Sequence, residues 1–205
     1  MKKMMVFVGL LFLATAAFAQ ESRQDISLSG IAVVGPQVYG NGVTQTSTIS
    51  GGFLGSYRYM VTPRSALEVN YGWAHNSRKF VTNTLGSSDR GPVYVHTRQQ
   101  ELTAAYVYTR NYRNFNPFVE IGIGALVYTP LSDFGTQSLD LKQNTRVGGL
   151  AGAGLAYEIS PSFDVRLEYR GFLGKAPDFN SPGDRFKTGR YVWSSIPAIG
   201  IAYHF

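Results

Sequence analysis

The chain has 205 residues, 19 Lys and Arg against 13 Asp and Glu, and no cysteine. That length suits one domain with a closed sheet. The missing cysteine excludes a disulfide framework, thiol chemistry, a cysteine-ligated zinc site and the anchoring cysteine of a lipoprotein. Charged residues make up 16% and the mean hydropathy is near neutral. A hydropathy scan would therefore find no helical membrane protein, but it would also miss a membrane β-barrel, half of whose strand residues are polar.

Residues 1–19 read as a signal peptide, which leaves a domain over residues 20–205. Lys2 and Lys3 form the positive start, residues 4–12 the apolar centre, and Ala17-Phe18-Ala19 the small-residue cleavage pattern. The apolar run over 4–19 is short for a span of roughly 20 residues. Removing it takes two positive charges off the formal +6. No later apolar run is long enough for a membrane helix. If the domain lives in a membrane it must be a closed barrel, because only helices and closed barrels satisfy every backbone polar group in lipid.

Eight alternating segments follow. Strand side chains point to opposite faces in turn, so each segment declares two faces. The first covers residues 24–35, with apolar residues at both parities and its phase open. A loop rich in Gly, Asn and Thr fills 36–47. The second strand, 48–60, puts Ile49, Phe53, Tyr57 and Tyr59 on one face and Ser50, Gly52, Ser56 and Arg58 on the other. A short turn at 61–64 leads to the third strand, 65–76. There Leu67, Val69, Tyr71 and Trp73 oppose Ala66, Glu68, Asn70 and Gly72.

A long polar loop is expected over 77–96. The fourth strand, 97–110, sets Leu102, Ala104, Tyr106 and Tyr108 against Glu101, Thr103, Ala105 and Thr109. After a short turn at 111–116, the fifth strand, 117–129, points Val119, Ile121, Ile123 and Val127 outward and Phe118, Glu120, Gly122, Gly124, Leu126 and Tyr128 inward. The sixth, 144–158, has Gly148, Gly152, Gly154 and Glu158 inward. The seventh, 163–174, alternates Phe163, Val165, Leu167 and Tyr169 with Asp164, Arg166, Glu168 and Arg170. The closing strand, 190–205, ends Ile199, Ile201, Tyr203, Phe205 on its bulky face and carries His204 on the other.

Short connections after the even strands and long ones after the odd strands match periplasmic turns and outer loops. Aromatic residues collect at both strand ends: Tyr57, Tyr59, Tyr106, Tyr108, Tyr157, Phe163, Tyr203 and Phe205 near the short turns, and Trp73, Tyr128, Tyr191 and Trp193 near the long loops. Two such belts fit the two lipid interfaces. The expected fold is all-β, an eight-stranded antiparallel up-and-down transmembrane β-barrel. Pro197 fits badly, since it cannot donate to a ladder. A bulge near residues 195–197 is the simplest expectation.

The inward face gathers charge. Eight strands leave an interior that side chains nearly fill, and isolated charges there are costly. An ion-pair plug is therefore expected among Arg58, Arg166, Arg170, Glu68, Glu101, Glu120 and Glu168. Counting across the turn at Pro63 sets Arg58 close to Glu68. A packed polar core outweighs a gate as its reading, and inward glycines leave room for the arginines opposite.

With these features together, the chain resembles the small eight-stranded outer-membrane proteins of the OmpA transmembrane-domain and OmpX type. The resemblance rests on the leader, the eight strands, the loop asymmetry, the charged interior and the terminal Tyr203-His204-Phe205. It implies location in a bacterial outer membrane, outer-membrane lipids and lipopolysaccharide as surroundings, and recognition of Ile199, Ile201, Tyr203 and Phe205 by the barrel-assembly machinery. It departs from full-length OmpA in having no peptidoglycan-binding domain after the last strand, so no cell-wall tether is expected. A structural or surface-interaction role with at most small conductance is expected for a monomer.

Catalytic alternatives are weaker. His75-Asn76-Ser77 near the outer rim invites a lipid A acyl hydrolase or transferase reading, with Ser attacking and His as base, but Arg78-Lys79-Phe80 follows where a deacylase motif continues Asn-Ala-Gly. A small-solute channel is a further alternative. No catalytic residue, cofactor or metal is expected. The loop cations Arg78, Lys79, Lys175, Arg185 and Lys187 could meet lipopolysaccharide phosphates or simply be solvated. Nucleic-acid binding does not suit an exported chain. Gly148-Gly149-Leu150-Ala151-Gly152 lacks the Lys-Ser/Thr pair of a phosphate loop. A soluble lipocalin-like barrel would leave the aromatic belts without a reason.

Overall fold

The computed structural model describes residues 23–82, 92–131, 141–179 and 186–205. Ten strands form one antiparallel sheet: β1 Gln24–Val33, β2 Val38–Gly40, β3 Val43–Ser47, β4 Ser50–Thr62, β5 Ser65–Thr82, β6 Val93–Thr109, β7 Phe115–Pro130, β8 Asn144–Ser160, β9 Phe163–Lys175 and β10 Tyr191–His204. Eight of them, β1 and β4 to β10, close into a barrel through the β1–β10 and β5–β6 pairings. The strands are staggered as closure requires. The row that begins at Asp25 passes through Arg58, Glu68, Ala105, Gly122, Leu150 and Phe172 to Ser194, which lies level with Gly35 instead of Asp25.

The side chains sort by parity. Leu28, Ile121, Ile123, Leu167, Ile199 and Ile201 are more than half exposed, while their neighbours Arg166, Glu120 and Ala202 are buried. In water such a shell would be unfavourable by about 1.5–3 kcal/mol per large side chain; in lipid it is the matched solvent. The phase of β1 is settled by its partners. Asp25 lies between Arg58 and His204 on the adjacent strands and is 0% exposed, whereas Ile26 and Leu28 point outward.

The strand limits differ from expectation on the outer side. β5 runs to Thr82 and β6 begins at Val93, so much of the expected loop 77–96 is sheet. Alternation persists there, with Arg78, Phe80, Val95 and Thr97 buried. The outer face of this segment is polar because it rises above lipid into water, which makes a strand look like a loop. Loop 36–47 is likewise a hairpin, β2–β3, laid on the β5 extension through pairs from Val43↔Thr82 to Ser47↔Arg78. Asn41 and Gly42 both have positive φ, 49° and 72°, as a two-residue hairpin turn requires, and Asn-Gly is its strongest sequence signal.

Pro197 produces no bulge. The β9–β10 register runs unbroken through Tyr169↔Pro197, and Ser194, Ile196 and Ala198 keep the inward parity. The cost falls on the other side. The β1–β10 ladder stops at Ile31↔Ala198 and returns only as the Val34↔Ser195 bridge, where both amides bond. Alternate residues of a strand bond alternate neighbours, so Pro197 aims its missing donor at β1. The barrel drops rungs without adding a residue.

Candidate functional site: the charged lumen

The short-turn ends of the strands carry the inward charges. At the periplasmic-type mouth a recess of about 220 Å³ is lined by Arg58, Arg166, His204, Glu158, Asn111 and Asn116, among others. His204 Nε2 is 2.8 Å from Asp164 Oδ2. Above this recess Arg166 Nη2 reaches Asp25 Oδ2 at 2.8 Å. Arg58 donates from Nε to Glu68 Oε2 at 2.6 Å, with Nη2 equally close, and its guanidinium covers the Phe118 ring at 4.8 Å. Arg58 and Glu68 meet because the tight turn between β4 and β5, followed by a register shift between Met60 and Thr62, sets them directly opposite.

Farther in, Arg170 is fully buried. Its Nη2 donates to Glu101 Oε1 at 2.9 Å and to Thr103 Oγ1 at 3.1 Å, and its Nε lies 3.6 Å from both Glu120 and Glu168. Gly152 makes this cluster fit. It sits between Glu120 on β7 and Arg170 on β9, and a Cβ there would strike Glu120 Oε1 and come within 3.0 Å of Arg170 Cβ. The lumen is apolar at its other end, where Phe80, Val95, Leu126, Phe172, Phe179 and Phe186 pack into one cluster. Asn41 Nδ2 donates to Lys187 O at 3.2 Å, tying the β2–β3 turn to the segment before β10.

The seven expected plug residues are all buried. The partners are not those anticipated throughout. Arg166 pairs with Asp25, which sequence reasoning missed because the phase of β1 was open; the outward run Ile26, Leu28 was the available signal. Arg170 takes Glu101 as its hydrogen-bonded partner.

The rim cations divide. Arg78 is a correction: it is 5% exposed, points into the lumen and stacks its guanidinium over Tyr128 at 4.8 Å, so it cannot face lipopolysaccharide. Extension of β5 past the expected end fixes its inward parity. Tyr128 likewise belongs to the interior cluster and not to the outer belt. Lys79 and Lys175 keep outer positions, over Tyr94 at 5.9 Å and Tyr191 at 5.8 Å, and Lys187 is exposed. Arg185 lies outside the described residues, as does the segment 1–19 that was expected to be a signal peptide. On the closing strand Ile199 and Ile201 are exposed, and Tyr203 packs against Phe163 at 5.1 Å and Phe205 at 6.0 Å.

The His75-Asn76-Ser77 triplet does not act as a unit. Ser77 Oγ pairs with His96 Nδ1 on β6 at 3.3 Å, while His75 packs on Trp73 with ring centroids 4.6 Å apart. Both histidines line an outer recess of about 300 Å³. No group of three or more His, Cys, Asp or Glu suited to a metal occurs among the described residues.

A closed antiparallel eight-stranded barrel, apolar outside and charged within, defines a transmembrane β-barrel of the outer-membrane class. The chain belongs to the outer membrane protein beta-barrel domain family, whose model matches residues 5–205. No curated protein matches the chain. Among solved structures it is similar to OprG of Pseudomonas aeruginosa, at TM-score 0.62 and 13% identity over 91% of this chain and 97% of that one. Neisserial surface protein A gives 0.58 and 13% over 90% and 98%. Ail of Yersinia pestis, solved with the heparin analogue sucrose octasulfate, gives 0.54 and 17% over 91% and 100%. These likenesses establish the fold. The protein is an outer-membrane β-barrel domain.

Proposed function

We propose that the protein is a structural, surface-interacting barrel whose lumen is closed to solutes. The observation that carries this is the filling of the lumen in series: Arg58–Glu68 and Arg166–Asp25 near one mouth, Arg170 with its carboxylates in the middle, and the Phe80–Phe172–Phe179–Phe186 cluster toward the other. Ion pairs in a narrow, dry interior resist separation, because removing one partner strands a buried charge at about 3–5 kcal/mol. In this reading the protein is a monomer without catalytic function. Lys79, Lys175 and Lys187, with Arg185, meet lipopolysaccharide phosphates at the outer rim, and the Ile199, Ile201, Tyr203, Phe205 face is what the assembly machinery reads.

Planar-bilayer recording of the refolded protein tests the closed lumen. Only small or no conductance is expected, rising in Arg58→Ala and Glu68→Ala. A stable wild-type pore of porin-like conductance overturns the reading. Lipid A from cells with wild-type protein or the His96→Ala variant separates the enzyme alternative, since unchanged acylation is expected in both.

A further inference from the structure

Arg78 is a buried cation without an acid. It is 5% exposed on the lumen side of β5, and its guanidinium rests on the Tyr128 ring at 4.8 Å. Register sets it between Ser47 on β3 and Val95 on β6, neither of which carries charge. The acids of the strands around it are taken. Glu68 of β5 is held by Arg58, and Glu101 of β6 by Arg170. Asp178 is bonded by Arg146 at 2.6 Å and by Asn144 at 2.9 Å. Among the described residues no carboxylate pairs with Arg78, and its Nε is buried with no protein acceptor. Burial strips a charge of its hydration, so a buried cation calls for a counter-charge. The Tyr128 face offsets only part of that loss.

Arg78 borders a cavity of about 10 Å³, together with Arg146, Tyr128, Phe172, Gly174 and Ser194. Arg146 spends Nη2 on Asp178, and its Nε is likewise buried with no protein acceptor. Two guanidinium N–H donors on the cavity wall are therefore unspent. Lys175 borders the cavity as well, with its ammonium over Tyr191 on the outer face. Among the described residues no carboxylate borders it. Gln99 Oε1 and Asn144 Oδ1 are buried acceptors without donors on adjoining strands, but neither residue lines this cavity. Gly174 keeps the wall thin, since a Cβ there would approach the Phe172 ring to 3.0 Å.

We propose that Arg78 and Arg146 form a binding site for one chloride-sized anion in the outer half of the lumen. Size selects the ligand. A cavity of roughly 10–15 Å³ holds a single water-sized body. Chloride is only modestly larger than water, whereas phosphate, sulfate and carboxylate ligands carry several atoms more. Charge selects it again. A water accepts a hydrogen bond from Nε but leaves Arg78 without a counter-charge, while a halide supplies acceptor and charge together, and hydrogen bonds between ionised partners are the stronger kind. The bound anion joins β5 to β8 across the lumen, beside the Phe172 end of the aromatic cluster.

Chloride NMR line broadening by the barrel folded in lipid vesicles tests it, with gluconate as the background anion. The proteins are wild type, Arg78→Gln, Arg146→Gln and the control Arg110→Gln, an exposed cation just past the short-turn end of β6. A shift on boiling in gels should show each to be folded. Broadening that bromide displaces is expected in wild type and Arg110→Gln, lost in Arg78→Gln and weakened in Arg146→Gln. Crystals grown with sodium bromide should carry an anomalous peak beside Arg78 Nε. Wild type without displaceable broadening assigns the cavity to water and overturns the proposal. So does equal broadening in Arg78→Gln, or bromide found only at exposed cations. If Arg78→Gln fails to fold, the bromide position and Arg146→Gln decide. A wild type that binds chloride yet conducts as an open pore refutes the closed lumen and leaves the anion site standing.

Discussion

Arg58 and Glu68 face each other across the tight β4–β5 hairpin, joined at 2.6 Å and each only 2% exposed. Removal of either partner leaves a buried charge. Arg58→Ala and Glu68→Ala are each expected to lose about 3–5 kcal/mol, and the double variant Arg58→Met/Glu68→Leu to recover much of it. Urea unfolding of the barrel in lipid vesicles measures all three. Additive losses in a double alanine variant would show that the two residues do not act as a pair.

Gly152 is the gap through which Glu120 and Arg170 approach. Gly152→Val should destabilise by about 1–3 kcal/mol or block folding, as overpacking does. Gly149, at the lipid-facing parity of the same strand, would place its Cβ no nearer than 3.9 Å to Gly122 O. Gly149→Ala is therefore expected to leave the urea midpoint almost unchanged. Equal loss in both variants would assign the effect to the strand backbone.

Trp193 covers Gly171. A Cβ at position 171 would run into the indole ring, which occupies the space a side chain would fill. In a Trp73→Phe background, with Trp193 as the sole tryptophan, Gly171→Val should displace the indole and shift its emission. An unchanged spectrum in a folded variant would mean that the ring does not rest on Gly171.

Phe205 closes the end of the barrel. Its amide donates to Gln24 O at 2.9 Å, and Gln24 N donates to Phe205 O at 3.3 Å. These are two rungs among many, so deletion of Phe205 should cost about 1–3 kcal/mol of folded stability. Assembly in cells is expected to fall much further than refolding into vesicles does. Equal loss in the two assays would place the effect in stability and not in recognition.

The lumen was legible where two strands share a short turn. Hairpin counting brings Arg58 close to Glu68, because a tight turn limits the register, and the shift between Met60 and Thr62 sets the two directly opposite. Arg166–Asp25 was not legible, since it joins β9 to β1 across β10, and the apolar residues of β1 occupy both parities. Arg78 was misplaced for a related reason. Its segment is polar on the outer face because it stands in water, and only pairing with β6 shows that it is strand with Arg78 pointing inward.

Sequence alone determined the class: a two-residue period in eight segments, charges at the inward parity and bulky residues at the outward one admit a membrane barrel and little else. Tertiary structure decided what the inside does. Stagger brings Glu120, Gly152 and Arg170 into one row and places Glu168 beside them, although they come from three strands and no local pattern joins them. Parity is a local property of the backbone, whereas partner choice inside a barrel depends on closure, which exists only when the first and last strands meet.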